Sequence, residues 1–420
     1  MACIRSYAVT LKPLRLGRIV KDDFYIHDPD LCYLDGNSLG RLPKAAEQRV
    51  QQVVREGWGT DLIGGWNKDW IHLPRRVGDK IAEVIGASAG EVIVADSTSI
   101  NLFKLATAAL KLQSERYKVL TDATNFPSDL YVLEAACGAA GYAQAVEAVG
   151  NPESIETPED ALLGEIDEQT ALVCLSQVAF KSGAVWDLER ITQAAHEAGA
   201  MVLWDLSHSV GAVPIDLKSC QADLAVGCTY KYLCGGPGAP AFLYVREDLQ
   251  ALLSNPIQGW FSHERPFVFS PEYEQADSID GFAVGTPPIL SMAAIEAGVD
   301  LVRAAGMESL REQSIALSSE LLTLYDEKLS VLGYTLSSPR DAARRGSHVS
   351  IAHPEARRIT ANLIERHQVI PDFRAPDNIR LGIAPLYNDL SDIRRCVQAL
   401  ELSVRNREYE TIEISSDPVT

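Results

Sequence analysis

Lys231 and Asp205 are the residues whose types and surroundings point most directly to chemistry. Lys231 lies just before the glycine-rich segment 235–238, and Asp205 directly follows the apolar run 201–204. A lysine amine in a desolvated site loses its proton more readily and can hold an aldehyde cofactor covalently. A carboxylate at the end of a buried strand can pair with a protonated ring nitrogen. Taken singly, both residues also fit an ordinary surface loop, but their combination predicts a site for pyridoxal phosphate (PLP).

The elements that must position these two residues are short apolar strands alternating with amphipathic helices. Strands are predicted at residues 91–95, 118–122, 171–176, 200–205, 222–227 and 241–246, and helices include 128–140 and 188–198. This alternation is typical of an α/β fold with a mostly parallel sheet covered by helices. Longer helices at 291–305 and 307–329 then precede a smaller α/β region at 333–405.

The change of texture near residue 290 predicts two domains. We expect a large PLP-binding domain over residues 46–290 and a small α/β C-terminal domain formed by 1–45 plus 291–406. The polar tail, 407–420, is expected to fray.

Composition excludes several classes of function. A net charge of −19 opposes binding to nucleic acid or to an anionic membrane, so neither partner is expected. No apolar run approaches the ~20 residues that span a bilayer, and the first 20 residues lack the apolar core of a signal peptide. The eight cysteines are scattered without metal-ligand spacing, which predicts reduced thiols, no metal and a cytoplasmic location.

The motifs of the chain resemble those of a known family. The chain is similar to the fold-type I PLP enzymes of the class V aminotransferase-like group, which includes cysteine desulfurases, and more closely to the kynureninases. The resemblance covers most of the chain, and the segments that carry it are 35–40 (DGNSLG), 125–129 (NFPSD), 205–208 (DLSH), 229–232 (TYKY), 259–261 (GWF), 282–288 (FAVGTPP) and 378–380 (NIR).

This resemblance implies a set of catalytic and cofactor-binding residues. Lys231, Tyr230 and Asp205 would be catalytic, with Lys231 holding PLP and Tyr230 donating a proton. Phe126 would stack on the cofactor ring. The other residues implied to contact the cofactor are Thr98, Ser99, Asp129, Ser176 and His208, with Trp260 and Thr286 supplied by the second subunit of a homodimer.

Some of these residues have simpler interpretations from the sequence alone. Thr98 and Ser99 follow a predicted strand and open a helix, where they could cap the helix or bind a phosphate. His208 could be a buried histidine that orients a loop.

The substrate residues are also open to more than one interpretation. Arg380 matches the family arginine for a substrate carboxylate, and Arg374 is its rival in sequence. Trp66 and His72 could line an aryl pocket, although a packed structural segment is an equal alternative.

The activity implied by the resemblance is hydrolysis of the Cβ–Cγ bond of L-kynurenine, and of 3-hydroxykynurenine, to anthranilate or 3-hydroxyanthranilate and L-alanine. That reaction belongs to tryptophan catabolism, the kynurenine pathway and NAD biosynthesis. One rival is a cysteine desulfurase-like lyase or aminotransferase, but a desulfurase needs a mobile nucleophilic cysteine and none occurs between Cys234 and Cys396. The other rival, a non-catalytic PLP-binding regulator, would need a DNA-binding segment that this acidic chain lacks.

Overall fold

The protein is described by a computed structural model that covers residues 21–141 and 145–413. The strands within these ranges are β1 Cys32–Tyr33, β2 Val92–Val94, β3 Lys118–Asp122, β4 Val146–Val149, β5 Thr170–Ser176, β6 Met201–Asp205, β7 Leu224–Gly227, β8 Phe242–Val245, β9 Thr335–Leu336, β10 His348–Ala352, β11 Val369–Ile370, β12 Asp372–Arg374 and β13 Asn378–Gly382. The α-helices are α1 Lys44–Gln52, α2 Leu73–Val84, α3 Thr98–Leu112, α4 Pro127–Ala140, α5 Glu159–Gly164, α6 Leu188–Ala198, α7 Glu247–Gln250, α8 Ile289–Ala305, α9 Met307–Leu324, α10 Ala356–His367 and α11 Leu390–Arg405.

A seven-stranded sheet forms the centre of the larger part, in the order β2-β8-β7-β6-β5-β3-β4. Neighbours from β4 to β7 pair in parallel, whereas β8 is antiparallel to both β7 and β2. The sheet is therefore mostly parallel, as the alternation of strands and helices predicted. Parallel strands end at one edge, and the register pairs Ser176 with Asp205 there.

Helix α6 shows how local sequence defines the covering layer. The Asp187 side chain accepts from the backbone N–H of Arg190 at 3.0 Å, which caps the first turn. Apolar residues at helical spacing, including Leu188 and Ile191, bury one face against the sheet. Gly199 then adopts φ +80°, a left-handed conformation that ends the helix at low steric cost.

The C-terminal part is built on a second sheet, the antiparallel order β12-β13-β10-β9. Helices α9, α10 and α11 pack on it around a separate apolar core that includes Leu317, Leu363 and Leu400. Cys32 and Leu34 from the N-terminal arm join this core, and β1 pairs in parallel with β11. The arm therefore crosses to the C-terminal part before the chain enters the large sheet.

Three local expectations differ from the structure. Strand β4 was not predicted, since it lies at the sheet edge with Glu147 and Ala148 exposed and has no fully apolar run. Helix α9 ends at Leu324 and continues as a wider turn over Tyr325–Leu329. The start of the expected frayed tail is instead docked, because Glu408 accepts from His367 Nε2 at 2.7 Å.

Two global features complete the fold. None of the helices in the described part of the chain is both long and apolar enough to cross a membrane. The seven cysteines within the same ranges are free thiols, and six of them are buried.

Candidate active site

Lys231 lies in the loop that follows β7, beside the carboxyl edge of the large sheet. Its Nζ shares a hydrogen bond of 2.9 Å with His208 Nε2, and the lysine is half-buried. Gly40 of the N-terminal arm donates to the Tyr230 carbonyl at 2.8 Å. A Cβ at Gly40 would overlap the Lys231 carbonyl, so this close approach requires glycine. The arm therefore fixes the backbone of the reactive loop.

Asp205 and Asp129 form a buried carboxyl pair next to the lysine. Asp205 ends β6, and Asp129 lies in the first turn of α4. Burial raises the pKa of Asp129, and the nearby charge of Asp205 raises it further. Burial also raises the pKa of Asp205, while a hydrogen bond from Ser207 favours its charged form. A hydrogen bond between the two carboxyl groups raises the pKa of Asp129 and lowers that of Asp205, so it favours the proton on Asp129 and the charge on Asp205.

Phe126 provides an accessible aromatic face at the same edge. Its side chain is 44% exposed and meets Phe180 edge to face, with ring centroids 5.3 Å apart. The preceding Asn125 accepts from the Phe126 N–H at 2.8 Å and from Ser176 Oγ at 2.7 Å. These bonds fix the end of β5 and the start of α4 relative to each other.

Thr98 and Ser99 lie in the first turn of α3, where free backbone N–H groups and the helix dipole favour an anion. The N-cap is Ser97, whose Oγ accepts from the Ile100 N–H at 3.4 Å. Ser99 Oγ instead faces the first turn of α4, 3.1 Å from Ser128 Oγ. The hydroxyls of two helix N-termini thus converge, as a phosphate site requires.

His208 is a neutral histidine between the lysine and the C-terminal part. Burial, the Lys231 charge and the Arg380 charge, in that order, hold the pKa of His208 well below its ordinary value. The His348 ring lies edge to face with it at 5.5 Å, and burial lowers the pKa of His348 in the same way. The uncharged His208 therefore lies beside the amine, with the uncharged His348 packed against it.

Arg380 reaches this edge from β13. Its side chain is 2% exposed, and Nη1 donates to the Phe180 carbonyl at 2.6 Å. A cavity of about 230 Å³ brings together ten residues predicted from the sequence. They are Thr98, Ser99, Phe126, Asp129, Ser176, Asp205, His208, Tyr230, Lys231 and Arg380.

Four other predicted site residues do not line this cavity. His72 and Thr286 line a second cavity of about 450 Å³. Trp66 and Trp260 both contact Phe261, which lines that second cavity, with ring centroids 5.8 and 4.3 Å apart. Within one chain the predicted site is therefore divided between two places.

Sequence reasoning did not assign several residues that line the first cavity, among them Asn37, Ser38, Ser128 and Ser207. Asn37 and Ser38 belong to the segment 35–40, which carried the resemblance without a role of its own. Ser128 follows Pro127 in the first turn of α4, and a hydroxyl in the first turn of a helix is a usable signal for an anion site.

The side chains of the first cavity fit PLP. A half-buried amine, the Asp205 carboxyl hydrogen-bonded to its neighbour, an open aromatic face and two helix N-termini match the aldehyde, ring nitrogen, ring face and phosphate of that cofactor. His208 Nδ1 is buried without a hydrogen-bond partner among the described residues, which leaves it available to a bound group. No group of three or more His, Cys, Asp or Glu side chains suited to a metal ion occurs in residues 21–141 and 145–413.

Comparisons with known proteins identify the fold and the family of this chain. A cysteine desulfurase from Thermococcus onnurineus NA1 superposes with a TM-score of 0.76 at 19% identity, covering 90% of this chain and 95% of that one. The fold is that of the fold-type I class of PLP-dependent enzymes. A kynureninase from Pseudomonas fluorescens is 44% identical over 375 residues, 88% of each chain, and the profile of the kynureninase C-terminal domain matches residues 310–400. The chain belongs to the kynureninase family, which confirms the resemblance seen in the motifs.

Proposed function

We propose that the protein hydrolyses the Cβ–Cγ bond of L-kynurenine to give anthranilate and L-alanine, with 3-hydroxykynurenine as a second substrate. The observation that carries the proposal is the first cavity, where the Lys231 amine, the buried carboxyl pair and the buried Arg380 guanidinium meet in a chain of this family. The reaction would serve tryptophan catabolism and NAD biosynthesis through the kynurenine pathway.

PLP is the proposed cofactor, and each part of it has a complementary residue. Lys231 would hold the aldehyde carbon, Asp205 the ring nitrogen and Phe126 one ring face, while Thr98 and Ser99 would bind the phosphate. When bound, PLP supplies an electron sink for the charge left at the substrate α-carbon.

The proton transfers would fall to Lys231 and Tyr230. The Lys231 amine would take the α-proton of the substrate. The pKa of its partner His208 is held well below the ordinary value, so this imidazole is a weak base and does not compete with Lys231 for that proton. Burial raises the pKa of Tyr230, which keeps its hydroxyl protonated and able to donate to the departing β-carbon.

We further propose that the active site is completed by the second subunit of a homodimer. The division of the predicted residues between two cavities supports this, because Trp260, Thr286, Trp66 and His72 do not line the Lys231 cavity of their own chain. Trp260 is also 39% exposed, as a residue reaching a partner must be.

We propose a cytoplasmic location and the division into domains 46–290 and 1–45 plus 291–406. The free thiols of the described cysteines are in keeping with a reducing compartment. The separate apolar core of the C-terminal part, which includes residues of the N-terminal arm, supports the domain division.

The test uses purified protein saturated with PLP and supplied with L-kynurenine. We expect anthranilate fluorescence to rise in step with L-alanine, one molecule of each per kynurenine consumed. A protein that binds PLP but releases sulfide from L-cysteine and leaves kynurenine intact would be a desulfurase. A protein that binds PLP and transforms no amino acid would be a non-catalytic member of the class.

A further inference from the structure

Arg380 has few hydrogen-bond donors left for a substrate. Nη2 donates to Ser38 Oγ at 3.0 Å and to Asp372 Oδ2, and Nη1 donates to the Phe180 carbonyl at 2.6 Å. With the Asn37 amide turned so that its oxygen faces the arginine, that oxygen accepts from Nε at 2.8 Å. Four of the five N–H groups of Arg380 are then engaged within the protein. A bidentate grip on a carboxylate needs two, so a second donor group is required.

Arg374 is the neighbouring cation with donors to spare. Its side chain is 36% exposed and lines the same cavity as Lys231. Nη2 forms an ion pair of 2.9 Å with Asp372, and Nη1 donates to the Phe373 carbonyl at 3.4 Å. At least three N–H groups of Arg374 have no partner in the described part of the chain.

Asp372 is the carboxylate that joins these two arginines. The antiparallel register places Asp372 directly opposite Arg380, and a period of two puts Arg374 on the same face of β12 as Asp372. Oδ2 of Asp372 contacts both guanidiniums, and its side chain is 4% exposed. Two guanidiniums side by side repel each other, and a buried carboxylate between them offsets that repulsion.

We propose that Asp372 is a positioning residue that holds Arg374 beside Arg380, so that the two guanidiniums together bind the α-carboxylate of the substrate. The inference rests on the proposed function, in which an amino acid enters this cavity. Neither Arg374 nor Arg380 then binds the α-carboxylate alone. The opposite role is also testable: if Asp372 merely occupied the place of the substrate carboxylate, removing its charge would tighten binding.

The test compares ligands with and without a carboxylate on the PLP-loaded enzyme. L-Kynurenine and L-alanine carry the α-carboxylate, whereas kynuramine keeps the amine and the aryl ketone but lacks it. In Asp372→Asn and Arg374→Ala we expect KM for kynurenine and Kd for L-alanine to rise ~10- to 100-fold, with kcat within a few-fold. Binding of kynuramine, followed by calorimetry, should be unchanged, and Asp372→Glu should recover part of the loss.

A matched control is Asp326→Asn, which removes an exposed carboxylate from Arg340 in the same part of the molecule. It should leave all three ligands unaffected. Wild-type alanine binding in Arg374→Ala, tighter binding in Asp372→Asn, or an equal loss of kynuramine would overturn the inference while kynurenine turnover still supports the proposed function. If kynurenine is not a substrate but L-alanine binding falls as expected, the carboxylate site stands and the proposed function fails.

Discussion

His208 shows how burial sets the charge of a single residue in this site. Burial and neighbouring cations keep His208 neutral in its contact with the Lys231 amine. In the carboxyl pair, the hydrogen bond between the two groups favours the proton on Asp129 and the charge on Asp205. Burial and neighbouring charges thus decide which side chains of the site are ionised.

Replacing Lys231 with alanine should abolish the covalent link to PLP and remove the base. We expect turnover of kynurenine to fall by at least about 10³-fold. Steady-state kinetics with anthranilate fluorescence measures the loss, and borohydride reduction followed by peptide mapping should label Lys231 in the wild type. The exposed Lys218→Ala serves as a control with normal turnover. Labelling of another lysine would show that Lys231 is not the residue that holds PLP.

The carboxyl pair predicts unequal effects for its two members. Asp205→Ala should weaken PLP binding and lower kcat by about 10- to 1000-fold, because an opposite charge shifts a pKa by roughly 1–3 units. Asp129→Asn keeps a donor toward Asp205 and should cost much less. Cofactor titration and kcat of both variants check this order. Equal losses, or near-normal turnover in Asp205→Ala, would contradict the assigned roles.

At the scale of elements, the N-terminal arm connects the two parts of the site. Asp35 forms a parallel bridge to Gly382 at the end of β13, and the Gly382 N–H donates to the Leu34 carbonyl at 2.6 Å. A Cβ at Gly382 would overlap the Asn37 side chain, so glycine permits the arm to lie against β13. The arm thereby places Asn37 beside Arg380. Further along the chain, it places Gly40 against the loop that carries Lys231.

Asp35 makes the docked arm sensitive to pH. Burial, and then the charge of Asp372, raises the pKa of Asp35 to about 6. The folded protein therefore prefers the protonated form, and this contribution to stability is present below pH ~4 and lost as pH rises through about 6. Asp35→Asn cannot ionise, so the melting temperature of the variant minus that of the wild type should increase between pH 4.5 and 7.5. The free-energy change is at most about 3 kcal/mol.

The comparison is made by thermal melts of both proteins with saturating PLP. Asp326→Asn is a flat control: Arg340 lowers the pKa of that exposed carboxyl, so Asp326 stays ionised throughout this pH range and its variant should differ from the wild type by a constant amount. A difference between Asp35→Asn and wild type that stays flat with pH would refute the raised pKa.

Elements with strong local patterns were predictable from the sequence, and pairings between distant segments were not. Helix α6 was predicted with its observed bounds because an N-cap, an apolar stripe and a terminal glycine agree. The position of Asp205 followed from the rule that ligands bind at the carboxyl ends of parallel strands. The role of Asp372 depends on its register with Arg380, which no local pattern of the sequence reveals.

At the scale of the whole molecule, an aromatic surface lies beside the second cavity. Trp260, Phe267 and Phe269 are 39%, 51% and 72% exposed, and the Trp260 ring contacts both phenylalanines. Exposed apolar groups of this kind mark interaction sites on proteins. With a net charge of −19, the chain gains little from general electrostatic attraction to another copy, so apolar contact is the expected basis of dimer formation.

A dimer with shared sites predicts complementation between two inactive variants. In such a dimer, each site would combine Lys231 of one subunit with Trp260 of the other. Lys231→Ala would therefore damage one site, and Trp260→Ala would damage the site of the partner subunit. A mixed dimer then has one doubly damaged site and one intact site. Random mixing in equal amounts should restore about a quarter of wild-type activity, since half of the dimers are mixed and half of their sites are intact.

The measurement follows anthranilate release after the two variants exchange subunits, with exchange proved by two different affinity tags. Each variant incubated alone is the control and should stay inactive. If tagged mixed dimers form but activity stays at the level of the parents, Trp260 acts within its own chain. The two cavities would then have to meet by rearrangement of a single subunit.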